Sequence, residues 1–307
     1  MSVIPTVNLP DGPILMDGGM GQELIHQGQP EGPNWSAQAL IDTPEMVREV
    51  HEEYIRAGAR IILTNTYSVV RRRFSESDVP DRFVTLNKLA CEMACQARDN
   101  TDPSVLVAGS LPPYFGSYRL DLTHDFNHIE PMYREQAEIL APYVDFFICE
   151  TMSTSEEARG ALSGAAAVGK PVWVSWTVDD DDGTRLRSGE SLAEAFAALE
   201  GLPVSGLLVN CSVPEAITQA VPVLSGLSDW PVGAYANGFK AIPEQWFGAT
   251  DGLDVLGKRR DLDPDAYASV VADWIASGAK LVGGCCEIGP AHIARLRDLI
   301  SFGRRAA

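Results

Sequence analysis

Basic residues are scarce in this chain: 24 Lys and Arg stand against 42 Asp and Glu in 307 residues, a formal charge of −18 at pH 7. So acidic a surface repels phosphate backbones and anionic headgroups, which argues against nucleic acid and membrane as partners. Long apolar runs are missing too. No window reaches the roughly 18 residues of a membrane span, and the opening "MSVIPTVNLP" lacks the charged segment and apolar core of a secretory leader. The expectation is a soluble, cytoplasmic protein. Histidine is thin: His26, His51, His124, His128 and His292 fall on separate predicted elements, so no histidine-based metal site is expected. Six cysteines in 307 residues are too sparse for a disulfide scaffold, and in a reducing compartment they are thiols, ligands or nucleophiles.

What the sequence does have is rhythm. Eight short apolar runs recur near 12–19 and at 60–67, 104–111, 145–151, 171–177, 205–212, 231–237 and 279–286. Continuous Val, Ile, Leu and Phe without polar alternation is what strands buried on both faces require, as in a parallel sheet. Helical segments lie between them. One has Thr43 as N-cap, Pro44 at its first position and Gly58 as its stop. Another pairs Thr154 with Glu157 as a capping box and ends at Gly169. A third starts at Asp263 and Pro264, puts Tyr267, Val270, Val271, Trp274 and Ile275 on one face, and stops at Gly278. Further helices fit 82–99, 129–141, 190–200, 214–227 and 290–302.

Strands and helices alternating eight times predict an α/β fold, a (β/α)8 TIM barrel in a single domain over 1–307 with its core at about 12–302. An open doubly wound sheet is the alternative, but "DGGMG" after the first strand lacks the G-x-G-x-x-G spacing of a dinucleotide loop. Two long connections, 112–128 and 237–262, follow strands and are expected to border the site. The run "DDDD" at 179–182 reads as a solvated loop rather than a hard-cation site.

A barrel's site lies where its strands end. The strand-end ring holds Asp17, Asn65, Tyr67, Ser110, Glu150, Thr151, Trp176, Asn210, Cys211, Tyr235, Asn237, Cys285 and Cys286. Cys91, Cys95 and Cys149 read as core thiols. Adjacent Cys285 and Cys286 could be a redox pair, two small apolar neighbours, or metal ligands. Three thiolates on tetrahedral zinc sit about 2.3 Å from the ion and roughly 3.8 Å apart. A regular strand sends neighbours to opposite faces, so a shared ion requires the chain to bend, which Gly283 and Gly284 would permit by allowing close approach and unusual dihedrals. Cys211 at the end of another strand tips the balance towards metal.

"MDGGMGQEL" at 16–24, "GARIILTNTY" at 58–67, "CET" at 149–151, "NCS" at 210–212 and "GGCC" at 283–286 together resemble the homocysteine S-methyltransferase family, in order and over about residues 12 to 300. That family's fold is a (β/α)8 barrel. The resemblance implies that Cys211, Cys285 and Cys286 bind Zn²⁺, whose fourth position takes the thiol of homocysteine. It implies that Asp17 and Glu150 meet the substrate's amino group, with the N–H groups around Gly18 and Gly19, and Thr151, also on the homocysteine side. Trp35 and Tyr67 match positions near the methyl donor, where Asn65 and Tyr235 are also placed. Tyr114, Phe115 and Tyr118 are further candidates for an aromatic surround, and the segment 110–121 could cover the mouth.

The function so implied is zinc-dependent transfer of a methyl group from a small onium donor, S-methylmethionine first and betaine or another sulfonium next, to L-homocysteine, giving methionine. Both small-molecule substrates are its partners. Alternatives are a non-catalytic zinc-binding or thiol-sensing barrel, and a methyltransferase using another thiol or selenol acceptor or a corrinoid partner. Longer family members assemble through a C-terminal extension, and the chain stops soon after its eighth helix, so a monomer or weak homodimer is expected.

Overall fold

Eight short parallel strands form the frame: β1 (Ile14–Leu15), β2 (Ile61–Leu63), β3 (Leu106–Leu111), β4 (Phe146–Met152), β5 (Val172–Trp176), β6 (Val204–Asn210), β7 (Val232–Tyr235) and β8 (Leu281–Val282). The computed structural model describes residues 4–30, 32, 34–74, 82–122, 125–242 and 256–306, with side chains as far as Phe302; His124 lies outside them. The sheet runs β1-β8-β7-β6-β5-β4-β3-β2. Its ends meet through a Met16–Ile61 bridge. There the Asp17 N–H donates to the Ile61 carbonyl at 3.0 Å and the Arg60 N–H to that of Leu15 at 2.7 Å, which closes the barrel as predicted.

The helices α1 (Met20–His26), α2 (Ala37–Asp42) and α3 (Pro44–Ala57) follow β1, and α4 (Arg71–Phe74) and α5 (Arg82–Thr101) follow β2. One helix then follows each later strand: α6 (Phe126–Leu140), α7 (Ser155–Ala166), α8 (Leu192–Ala197), α9 (Pro214–Leu227), α10 (Pro264–Ala276) and α11 (Pro290–Ala306). Strand alternation sorts the core into two layers. Phe146, Ile148, Trp173, Leu208 and Leu281 fill the barrel, whereas Phe147, Cys149, Val172, Val174, Leu207 and Val209 face the helices. Phe146 and Trp173 stack at 4.4 Å between ring centroids, so the interior is packed rather than open.

Helix ends follow the sequence with three local differences. Asp263 caps α10 by accepting the Ala266 N–H. Thr154 caps α7, but the Glu157 carboxylate accepts from Ser153 N–H instead of completing the box. The reciprocal box belongs to Ser191 and Glu194 on α8. Thr43 precedes α3 without capping it, because its hydroxyl donates to Gln29. The helix expected from 129 begins at Phe126, where Asp125 is the cap.

On α3 the His51 ring is fully buried, and neither nitrogen has a hydrogen-bond partner among the described residues. Burial pushes its pKa down from 6.5 to about 3. The unfolded chain therefore takes up this proton first, and stability present above pH 6.5 is lost as the pH falls, by about 1.4 kcal/mol per unit. Urea unfolding should find that wild type loses about 2 kcal/mol more than His51→Leu between pH 6.5 and 5. Parallel pH profiles would contradict this account of His51.

Candidate active site at the carboxyl end of the barrel

Continuing the alternation of β6 would send Cys211 outward with Leu207 and Val209. Instead its backbone takes φ +54°, which ends the strand and turns the sulfur to the barrel mouth. There it meets Cys285 and Cys286. The three sulfurs all lie within 4.8 Å of one another, with Cys285 to Cys211 at 3.0 Å. These separations bracket the roughly 3.8 Å between thiolates on one tetrahedral ion, so the donor set fits a soft divalent metal. The electrostatics agree. Hydrogen bonds from Cys285, Cys286 and Tyr118, helped by the Arg187 charge, pull the Cys211 thiol well below its ordinary range despite burial. The same contacts push Cys285 and Cys286 well above theirs, so the trio favours one negative sulfur flanked by two donors.

Of the two services expected of the glycines, unusual dihedrals and close approach, the second is the one seen. Gly283 and Gly284 are not left-handed; the positive φ after the pair belongs to Glu287, at +65°. Their service is close approach. A Cβ on Gly283 would meet Met16 at 2.7 Å and the Asp17 carbonyl at 2.8 Å, and one on Gly284 would strike Ile288 at 2.2 Å. Gly19 likewise lies against the cysteine segment, where a Cβ would be 2.6 Å from the Cys285 carbonyl. Its N–H donates to the Ile288 carbonyl at 3.0 Å. Gly18 is also packed tight, a Cβ there falling 2.1 Å from the Ile288 carbonyl. Gly19→Ala should therefore push the cysteine pair aside, lowering stability by about 1–3 kcal/mol and weakening metal retention together. Denaturant unfolding and metal analysis check this; an alanine variant matching wild type in both would refute it.

Two buried carboxylates stand near the trio. Asp17 does not cap a helix: the α1 N-cap is Gly19, and Asp17 Oδ2 accepts the Leu63 N–H at 2.8 Å. Burial raises its pKa well above the carboxylate range, opposed by that hydrogen bond and reinforced by the Glu150 charge. Glu150 lies two residues before the end of β4, with Oε1 accepting from the Ser110 hydroxyl and Oε2 from the Tyr235 hydroxyl at 3.1 Å. Burial lifts it to about 7, against the Ser110 bond and with the Cys211 charge adding. Glu150 thus lies close enough to feel Cys211, and Asp17 to feel Glu150.

The remaining candidates divide. Tyr235, expected on the donor side, is tied to Glu150 instead, because β7 sets it beside Asn210 with its hydroxyl aimed across the mouth. Thr151 takes φ +62°, and Asn210 holds both its N–H, at 2.9 Å, and its hydroxyl, at 2.8 Å. Asn65 spends its amide on the Ser36 carbonyl at 3.0 Å, which fixes the chain next to Trp35. Trp35 and Cys286 pack against the same pair, Phe239 and Leu256. The Tyr67 hydroxyl is 2.6 Å from that of Ser117, and the phenol, raised first by burial, also feels the Cys211 charge. Tyr114 and Phe115 turn away: Tyr114 packs edge-on to Tyr133, and Phe115 stacks on His128.

Sequence reasoning missed the backbone strain at this end and the part played by Asp180 and Arg187. Among the described residues, the five non-glycines with positive φ are Trp35, Tyr118, Thr151, Cys211 and Glu287, each at or just beyond the carboxyl end of a strand or on the connection that follows it. Each such conformation costs about 1–3 kcal/mol, and strain of this kind concentrates where geometry is functional. The acidic run is also not wholly solvated. Asp180 accepts from Arg187 at 3.0 Å and from the backbone N–H groups of Val213 and Ile242 at 3.1 and 2.7 Å, clipping three loops together. No composition signal separates Asp180 from its neighbours; the signal was Arg187 seven residues on.

Comparison with known proteins gives a consistent result. Residues 14–300 match the profile of a family described as Homocysteine S-methyltransferase. Homocysteine S-methyltransferase of Escherichia coli K12 is 30% identical over 304 residues, covering 92% of this chain and 94% of its own. A selenocysteine methyltransferase of Astragalus bisulcatus is 28% identical, covering 94% and 93%. Among solved structures, the metallated form of the homocysteine methyltransferase MmuM from Escherichia coli superposes with a TM-score of 0.79 at 29% identity, covering 94% of this chain and 96% of that one.

Proposed function

The chain belongs to the homocysteine S-methyltransferase family, and on that premise we propose that it transfers a methyl group from a small onium donor, first of all S-methylmethionine, to the thiol of L-homocysteine, with Zn²⁺ held by Cys211, Cys285 and Cys286. The observation that carries this reading is the meeting of three sulfurs within 4.8 Å beside the buried pair Asp17 and Glu150. Bound in that trio, Zn²⁺ would supply the Lewis acidity that keeps a substrate thiol ionised at neutral pH.

The residues of the chain do the rest. Glu150, fixed by Ser110 and Tyr235, and Asp17, fixed by Leu63, offer two carboxylates to one ammonium. Their raised pKa values are the cost of holding charge in a buried site, and a bound cation offsets that cost. On the other side Trp35 and Tyr67 offer aromatic faces near the sulfurs, which suit a sulfonium or quaternary ammonium. Held so, the homocysteine sulfur attacks the methyl carbon opposite the leaving group, the new C–S bond forms as the donor's bond breaks, and the donor departs neutral. The likeness to the Astragalus enzyme supports a selenol as a second acceptor.

The test is methionine formation from homocysteine with S-methylmethionine, betaine, dimethylsulfoniopropionate and methyltetrahydrofolate in parallel. Turnover with an onium donor and none with the folate is expected. Turnover with the folate alone, or with no donor, would overturn the proposal.

A further inference from the structure

One phenol reaches the cysteine trio from a loop rather than from the barrel. The Tyr118 hydroxyl lies 3.0 Å from the Cys211 carbonyl oxygen and 3.1 Å from Cys211 Sγ. Sulfur is the larger atom, so of two nearly equal separations the one to sulfur is the closer contact. A phenol keeps its proton at neutral pH, so at this distance the hydroxyl acts as a donor to the sulfur.

The rest of the arrangement holds it there. Tyr118 takes φ +63°, a conformation a bulky residue adopts only when its surroundings enforce it. Next to it, Ser117 is tied to the Tyr67 hydroxyl at 2.6 Å. Over the Tyr118 ring, 4.6 Å from its centroid, sits the Arg187 guanidinium. Arg187 is buried to 11% exposure and is held by Asp180 at 3.0 Å and by the Thr177 hydroxyl at 3.0 Å. A cation on the ring face attracts the ring and draws electron density from the phenol, which makes its O–H a stronger donor. Thr177, Asp180 and Arg187 come from the connection after β5, Tyr118 from the one after β3, and Cys211 from the end of β6.

We propose that Tyr118 is a positioning residue for the metal-binding sulfurs: backed by the Asp180–Arg187 pair, its hydroxyl fixes the direction of Cys211 Sγ and withdraws charge from it. This rests on the metal reading above and deepens it. Three anionic sulfurs beside two carboxylates make a strongly negative pocket, and a donor on one sulfur leaves the ion more able to draw in a fourth ligand.

Tyr118→Phe removes the hydroxyl and keeps the ring beneath Arg187. Cobalt(II) loaded into the purified protein reads the sulfurs through its thiolate charge-transfer absorption. A sulfur that loses a hydrogen bond holds its lone pairs less tightly, so the band should move to longer wavelength; with the direction of Cys211 Sγ no longer fixed, the ligand set is less preorganised, and this outweighs the stronger sulfur donation, so a chelator should strip the cobalt about tenfold more readily. The double variant Asp180→Asn/Arg187→Met, which leaves the hydroxyl but removes the charge behind it, should shift the band the same way by less. A Tyr118→Phe band and chelator competition identical to wild type would overturn the proposal. Wild type that shows the cobalt band yet makes no methionine would sink the functional reading alone, with the band comparison still deciding Tyr118.

Discussion

Cys211→Ser is expected to leave a folded barrel that retains zinc and transfers methyl groups about 1000-fold less well. A serine hydroxyl stays protonated at neutral pH and is a poor ligand where an anionic sulfur was. Structural zinc sites are worth about 10–16 kcal/mol over all their ligands, so losing one ligand costs several kcal/mol, a factor near 1000. Serine suits the strained position and the space, so folding should survive, as circular dichroism would show. Zinc analysis and methionine formation measure the loss. Cys95→Ser is the control: its Sγ donates to the Tyr143 carbonyl at 3.3 Å, a bond a hydroxyl can replace, and metal and rate should both persist. Equal loss in the two variants would mean that cysteine content, not the trio, governs the site.

Glu150→Gln carries the second large effect. A charge-assisted bond to a buried ammonium is worth roughly 1.5–3 kcal/mol, so kcat/KM for homocysteine should fall about 10- to 100-fold. The pH dependence has a definite sign. With its pKa lifted to about 7, Glu150 is a carboxylate above that pH and takes up a proton below it. The kcat/KM of wild type should therefore drop as the pH falls through 7, by about tenfold per unit once protonation dominates, because only the carboxylate holds the ammonium. Glu150→Gln should lack this limb. A raised carboxylate pKa also means that the charged form weakens the fold near and above pH 7, so the glutamine variant should unfold at no lower temperature than wild type. A variant that loses stability and binding together would indicate a structural role instead.

The barrel was legible because a strand buried on both faces leaves no room for polar alternation, and because Pro44, Gly58, Asp263 and Gly278 mark helix ends. The cysteine trio was legible because ligand-type residues at two strand ends can converge only in a closed barrel. What stayed hidden depends on backbone direction. Nothing in "GSYRLD" announces that Tyr118 is left-handed and reaches Cys211, since tyrosine has no preference for that conformation. The bond of Tyr235 to Glu150 was hidden as well, because strand position does not say which partner across the mouth a long side chain will find. Asp180 looked like its acidic neighbours until Arg187 and two backbone N–H groups were seen to converge on it. Of the two roles read for Gly283 and Gly284, close approach is the one used, against Met16 and Ile288, and neither glycine takes an unusual dihedral.

The central claim is that the three sulfurs hold the zinc on which methyl transfer depends. Its most direct test is to strip the purified protein of metal under reducing conditions and add zinc back stepwise, following methionine made from L-homocysteine and S-methylmethionine. The rate should climb linearly, level off at one zinc per chain, and yield two methionines per transfer, one from each substrate. Full turnover by the stripped protein, or a rate indifferent to added zinc, would contradict it.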